Sequence, residues 1–416
     1  MITILKGNII SADKINEFKI FKDSYLVAED GKIVGIFEKL PQKYKDEKVE
    51  DYGNKLIFQA FSDMHLHGPQ YAMLGTGLDL QLLDWLNTYT FPIEAQFKDQ
   101  ELARDVYQKL AKELVRNGTT RVCMFSSTHV DSTLILMEEL DKAGISGYVG
   151  KVNMDRNGGK NYQETTEESL KETKRWLAKC NFKNIKPIIT PRFTPACSDE
   201  LLKQLGKIAI KSELPIQSHL SENKNEIEWV KKLCPDSKEY WETYKKHKLW
   251  TNKTLMAHCV HSTESELEAI KKAGVYVVHC PSSNQNVISG YAQVKEMLNK
   301  GVRVVLGSDI AGGDHISMFE NIVDAIKVSK GNHYNSNYKI PFLTVEEAFY
   351  LATSASAPFF NERPGLAKNN VLNVIVLDDS NLAFTDKLSI KERFKRAIYT
   401  RQKDAIVAVY NGVKIY

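Results

Sequence analysis

Leu56-Ile57-Phe58-Gln59-Ala60-Phe61-Ser62-Asp63-Met64-His65-Leu66-His67-Gly68 is an apolar, β-prone run that ends on two histidines one residue apart. Side chains two apart on a strand share a face, so His65 and His67 point to the same side where the strand stops. The same rhythm recurs along the chain. Apolar runs at 119–125, 147–155, 185–193, 214–220, 254–260, 275–280 and 302–310 follow the first, 56–64. Between them, 100–117, 164–178, 199–211, 264–272 and 317–329 space their apolar residues as amphipathic helices do. Eight strand-like runs alternating with helices predict an α/β fold, either a (β/α)8 TIM-like barrel or a long doubly wound sheet, and the number eight favours the barrel.

The two ends of the chain have a different character. Residues 1–55 carry short β-rich runs between Gly and Asp turns, as small antiparallel strands do, and 404–416 repeat that pattern around a turn at Asn411-Gly412. The expected organisation is a barrel over 56–365. Residues 1–55 and 366–416 are expected to pair into one small β-sandwich-like module.

Composition narrows the function classes. With 43% hydrophobic and 26% charged residues, the chain of 416 residues is an ordinary globular protein rather than a disordered or fibrous one. Lys and Arg total 56 against 52 Asp and Glu, so the net charge of +4 gives no sign of a nucleic-acid or membrane surface. The basic runs Lys245-Lys246 and Lys391 to Lys395 read as solvated faces. No apolar run is long enough for a membrane span, and the start has too short an apolar region for a signal peptide. The six cysteines never form C-x-x-C, which speaks against a zinc knuckle or a redox dithiol and suits a reducing compartment. A cytoplasmic location is expected. Gly150-Lys151 lacks the rest of a P-loop, and no strand is followed by G-x-G-x-x-G.

In a barrel the chemistry lies where the strands end. Those ends read Asp63-Met64-His65-Leu66-His67, Pro191-Arg192-Phe193, Ser218-His219-Leu220-Ser221-Glu222, Ala257-His258-Cys259, His279-Cys280-Pro281 and Gly307-Ser308-Asp309. Five of the ten histidines fall there. His65 and His67 with His219 and Asp309 make an N/O set suited to zinc or ferrous iron. Glu222, just past His219, is placed to move protons between water and substrate, or else is an N-cap or first-turn carboxylate of the helix beginning near Asn223. His258 and Asp309 are either a buried pair or part of the same chemistry. His129, His247, His261, His315 and His333 have no such placement and read as surface or structural.

These motifs resemble the amidohydrolase superfamily and, within it, the guanine deaminase family, over roughly 56–359. The likeness includes Asp63 to Tyr71, Thr190-Pro191-Arg192-Phe193, Gln217 to Asn223, Met256-Ala257-His258, His279 to Asn284 and Gly307 to Gly313. Stretches read as free of chemistry match as well, such as Trp85 to Pro92 and Glu164 to Ser169. The resemblance implies that His65, His67, His219 and Asp309 hold one Zn2+ per chain, with Fe2+ an alternative. It implies that His258 and Asp309 contact the reacting water, that Glu222 shuttles protons, and that Gln70, Arg192 and Phe193 line the base pocket beside His67 and His219. It also implies guanine and water as substrates, xanthine and ammonia as products, and a homodimer. Binuclear relatives bridge two metals with a lysine at the end of strand four. Here that end carries Arg192, with Lys186 at the strand's start, which favours one metal. The residues 363–377 depart from the family pattern, with Asn373 where an Asp is common. Zinc deaminases of the cytidine-deaminase type need P-C-x-x-C, absent here. Two alternatives stay open: an aminohydrolase for another ring such as a pterin, triazine or adenine-type base, and a non-catalytic scaffold. For Arg192 the alternative to substrate contact is an ion pair with a carboxylate at the barrel mouth.

Overall fold

The computed structural model describes residues 1–159 and 161–416. Two four-stranded parallel sheets form its centre. One is built from Phe61–His67, Thr119–Phe125, Ser146–Gly150 and Ile185–Pro187, the other from Ile216–Leu220, Thr254–His258, Tyr276–His279 and Arg303–Leu306. On one side they meet through a parallel bridge between Ile189 and Ile216. On the other, the Asp309 N–H donates to the His65 carbonyl (2.8 Å) and the His67 N–H to that of Ile310 (3.1 Å). The expected helices are present as Gln100–Arg116, Thr166–Lys179, Asp199–Lys211, Glu264–Ala273 and Met318–Asn335. Asp99, Thr165, Ser198 and Thr263 cap the first four, each side chain accepting a first-turn N–H. No helix among the described residues is long and apolar enough to cross a membrane.

Both chain ends enter one seven-stranded sheet. Its order is Val413–Lys414, Ile406–Asn411, Asn373–Leu377, Val49–Gln59, Ile2–Lys14, Glu17–Glu29 and Lys32–Phe37. The turn at Asn411-Gly412 is there, with Gly412 in the left-handed region (φ 76°) that favours glycine. The sheet is mixed rather than antiparallel throughout, because Ile2–Lys14 runs parallel to Val49–Gln59. Asn373 starts a regular strand between Val49–Gln59 and Ile406–Asn411.

The run 56–64, read as one strand, is two. Leu56 to Gln59 pairs within the terminal sheet, whereas Phe61–His67 pairs with Thr119–Phe125. The partner changes at Ala60: its N–H donates to the Asn373 carbonyl, and the next N–H, of Phe61, to that of Gly118. The run 185–193 also breaks, into Ile185–Pro187 and Thr190–Pro191, at a proline that has no N–H for a ladder. Within the basic run 391–395, Arg393 is buried rather than solvated, forked onto Asp379 (Nε to Oδ2 3.0 Å, Nη2 to Oδ1 2.5 Å). Its helix, Ile390–Tyr399, turns Phe394, Ala397 and Ile398 inward and carries Arg393 with them.

Phenylalanines weld the terminal sheet to the central strands. Phe58 from the sheet lies 4.9 Å from Phe394, centroid to centroid, and Phe394 lies 4.9 Å from Phe349. Phe61 from the first central strand meets Phe319 at 4.9 Å, and Phe58 and Phe61 join the two halves at 6.4 Å. All five rings are buried. Phe394→Ala is expected to lower the free energy of unfolding by about 3–5 kcal/mol, with a single transition on urea denaturation. Two separate transitions in the native chain would show that the two parts are not one cooperative unit.

Candidate active site

The strand ends bring the expected residues together. His65 and His67 leave the last turn of Phe61–His67, His219 lies near the end of Ile216–Leu220, and His258 ends Thr254–His258. Asp309 follows Arg303–Leu306. The backbone is left-handed at His258 (φ 72°) and Asp309 (φ 51°), a conformation that costs non-glycine residues free energy and clusters at functional sites. All five side chains are buried.

Their ligand atoms converge. Asp309 Oδ1 lies 3.1 Å from His65 Nε2 and 3.4 Å from His67 Nε2. His67 Nε2 and His219 Nε2 face each other at 3.3 Å. His219 Nδ1 donates to the Arg192 carbonyl at 2.5 Å, which leaves Nε2 as a lone pair. His65 Nε2 is buried and makes no hydrogen bond. Burial, reinforced for His67 and His219 by the neighbouring imidazoles, holds these three rings below the usual histidine range, so they are neutral. Burial alone would raise Asp309, but His65, His258 and His67 outweigh it and keep it ionised. Lone pairs on three neutral imidazoles and one carboxylate, facing a common point without a proton to share, fit a divalent cation. His65, His67 and His219 form one group with ligand atoms within 4.8 Å of one another; His65, His258, Cys280 and Asp309 form a second, overlapping one. The thiol of Cys280 was not read from the sequence as a candidate ligand, because it stands alone without a C-x-x-C partner.

Glu222 is buried beside this cluster, Oε2 3.5 Å from His258 Nε2 and Oε1 3.4 Å from Ser289 Oγ. Burial first, then the carboxylates of Glu226 and Asp309, pushes it well above the usual carboxylate range. It is not the helix cap. Asn223 caps Lys224–Leu233 with Glu226 completing the capping box, and Glu226 accepts the N–H groups of Glu222 (2.9 Å) and Asn223 (3.2 Å). His258 and Asp309 are not a tight pair: Nε2 to Oδ2 is 3.8 Å, and His258 Nδ1 meets Asn284 Oδ1 instead, at 2.9 Å.

Gln70, Arg192 and Phe193 line the same cavity as His67, His219, Glu222, His258 and Asp309. Leu82, Trp85, Leu86 and Val287 supply its apolar wall. The stretch Trp85 to Pro92, read as free of chemistry, therefore forms part of the pocket, and Phe91 stacks under the Arg192 guanidinium at 4.9 Å. Arg192 does make the ion pair weighed as its alternative, to Glu94 (Nη1 to Oε2 2.5 Å, Nη2 to Oε1 3.1 Å). Arg192 also faces the cavity, so the ion pair does not take it out of the pocket. Glu94 was missed because one acidic residue in an amphipathic stretch carries no signal of burial. His279, expected at a strand end, is buried with neither ring nitrogen bonded, pushed down to about 3 by burial, and does not line the cavity. His129, His247, His261, His315 and His333 bond elsewhere, to Ala95, Asp199, Ser289, Asp324 and Ile340. Lys186 is exposed and donates to the Phe182 carbonyl.

Residues 56–390 match the family described as "Amidohydrolase family". The chain belongs to the amidohydrolase family. Among its relatives in that family, a guanine deaminase of Dictyostelium discoideum is 40% identical over all of this chain and 98% of that protein. A guanine deaminase of Mus musculus is 41% identical, covering 84% of this chain and 80% of the relative. A crystal structure of guanine deaminase from C. acetobutylicum, with bound guanine in the active site, superposes with a TM-score of 0.98 at 44% identity over the whole of both chains.

Asp63 ties the two ligand-bearing segments together. It accepts the Ser308 N–H (2.9 Å), the Ser308 hydroxyl and, at 3.4 Å, the His65 N–H. Asp63→Ala is expected to weaken divalent-metal binding at the cluster by about 10–100-fold, as loss of a group supporting a ligand does. Competition against a chromogenic chelator measures this, and unchanged affinity would show that Asp63 does not set the ligand spacing.

Proposed function

We propose that this chain hydrolyses guanine to xanthine and ammonia. The observation that carries the reading is the buried Glu222 carboxyl, 3.5 Å from His258 Nε2, beside the His/Asp cluster inside a pocket bearing Gln70, Arg192 and Phe193. The relative whose active site holds guanine, 44% identical over the full chain, supports it. His65, His67, His219 and Asp309 would hold one Zn2+, and Fe2+ suits the same donors. When bound, such a cation supplies Lewis acidity, which makes water a nucleophile near neutral pH.

The residues divide the remaining work. Glu222 gives its proton to N3 of the ring as the water oxygen adds to C2. His258 Nε2 and Asp309 orient that water. Asp309 helps carry one of its protons to the departing amine, so that the C2–N bond breaks and ammonia leaves; the other returns to Glu222 as the C2 carbonyl of xanthine forms. Arg192 donates to O6 of guanine, where adenine would present another donor. Gln70 reads a neighbouring edge and Phe193 covers the ring face.

The architecture inferred with this reading is a (β/α)8 barrel, supported by eight parallel strands in two sheets that meet on both sides. The terminal segments form its sandwich-like companion module, with the first crossing at Ala60. We also infer a homodimer in the cytoplasm, on the resemblance to the guanine deaminases and the six free cysteines.

Ammonia release from guanine, adenine and pterin by the purified chain tests the assignment. One ammonia per guanine is expected, and turnover of pterin without guanine would overturn it. Glu222→Gln should keep the metal and lose about 10²–10⁴-fold in kcat; near-native turnover would make Glu222 a structural carboxylate. Arg192→Met should lower kcat/KM for guanine by roughly 10- to 200-fold at unchanged metal content, and an unchanged value would move the pocket assignment elsewhere.

A further inference from the structure

Glu94 is wholly buried on the short helix Phe91–Gln96, and it touches both side chains assigned to reading the ring. Its two oxygens accept the Arg192 fork, and Oε1 also accepts Gln70 Nε2 at 2.8 Å. The far side of the Gln70 amide is fixed as well, because the Ala311 N–H donates to Oε1 at 3.0 Å. A carboxylate on one side and an N–H on the other permit one orientation of that amide. The carboxylate also makes a buried guanidinium tolerable, since an unpaired one is costly in a water-excluded wall. It occupies one N–H on each of Arg192 Nη1 and Nη2 and one on Gln70 Nε2. The hydrogens left for the cavity are all donors.

We propose that Glu94 is a positioning residue that sets substrate choice, holding Arg192 and Gln70 as a fixed edge of hydrogen-bond donors. The class this edge selects is an amino-substituted ring with a carbonyl on the facing carbon, as in a 2-amino-6-oxopurine. A ring with hydrogen or an amine there leaves the donors unpaired. The inference rests on the proposed guanine reading, but it fails separately: a chain inactive on guanine removes the reading, whereas an active chain indifferent to Glu94 removes only this inference.

The test compares kcat/KM for guanine with inhibition constants for hypoxanthine, which keeps the carbonyl, and 2-aminopurine, which lacks it. The native chain should bind hypoxanthine the more tightly. Glu94→Gln should raise KM and cut kcat/KM for guanine about 10-fold or more, while the 2-aminopurine constant moves by less than about threefold. Metal content should not change. Because Glu94→Gln leaves a cation buried and unpaired, Glu94→Asp, which keeps the charge but draws it back by one methylene, is measured beside it and should show a smaller loss of the same preference. In an Arg192→Met background, Glu94→Gln should have little further effect on the hypoxanthine preference. A Glu94→Asp chain with native preference, or an equal effect of Glu94→Gln with and without Arg192, overturns the proposal.

Discussion

Asp309 is held in its charged range in a site with almost no access to water, beside the neutral rings of His65 and His67. Leaving an ion unpaired in such a place costs several kcal/mol, and what faces the Asp309 carboxylate is a set of ring nitrogens at 3.1, 3.4 and 3.8 Å. A bound cation resolves this imbalance, and much of the structure keeps its donors in place. Asp63 links Ser308 to the first strand, the Arg192 carbonyl turns His219, and the Asn284 amide turns His258. The parallel strands end together, so side chains far apart in sequence meet at one point.

The same burial gives the rest of the site its character. Burial, with two other carboxylates close by, raises Glu222 well above the range of an exposed glutamate. Asp309, among imidazoles, stays charged. Their surroundings thus shift the two carboxylates in opposite directions, the arrangement by which paired carboxylates can divide acid and base work. In the cavity wall, Arg192 is held to Glu94 and stacked on Phe91, so its positive charge is neutralised and its orientation fixed.

The converging His/Asp cluster was legible because it combines a rare residue type with strict placement. His65 and His67 sit two apart, and His219, His258 and Asp309 stand at corresponding ends of other strands. Helices were legible from apolar spacing, with Asp99, Thr165, Ser198 and Thr263 at their starts. What stayed hidden depended on partners remote in sequence. Nothing local to 56–64 says that the chain changes sheets at Ala60, since the cause is two carbonyls, of Asn373 and Gly118. Arg393 looks like one more solvated cation until Asp379 is seen beneath it. Glu94 resembles any surface acid, and its burial is decided by Arg192 and Gln70, which reach it from elsewhere in the chain.

Activity on guanine, measured as Zn2+ is added back to the metal-stripped chain, tests the central claim most directly. Four converging ligands and an arginine in place of a strand-four lysine predict activity that rises linearly and breaks at about one equivalent per chain. A break at two equivalents, or full activity in the stripped chain, would contradict a single metal held by His65, His67, His219 and Asp309.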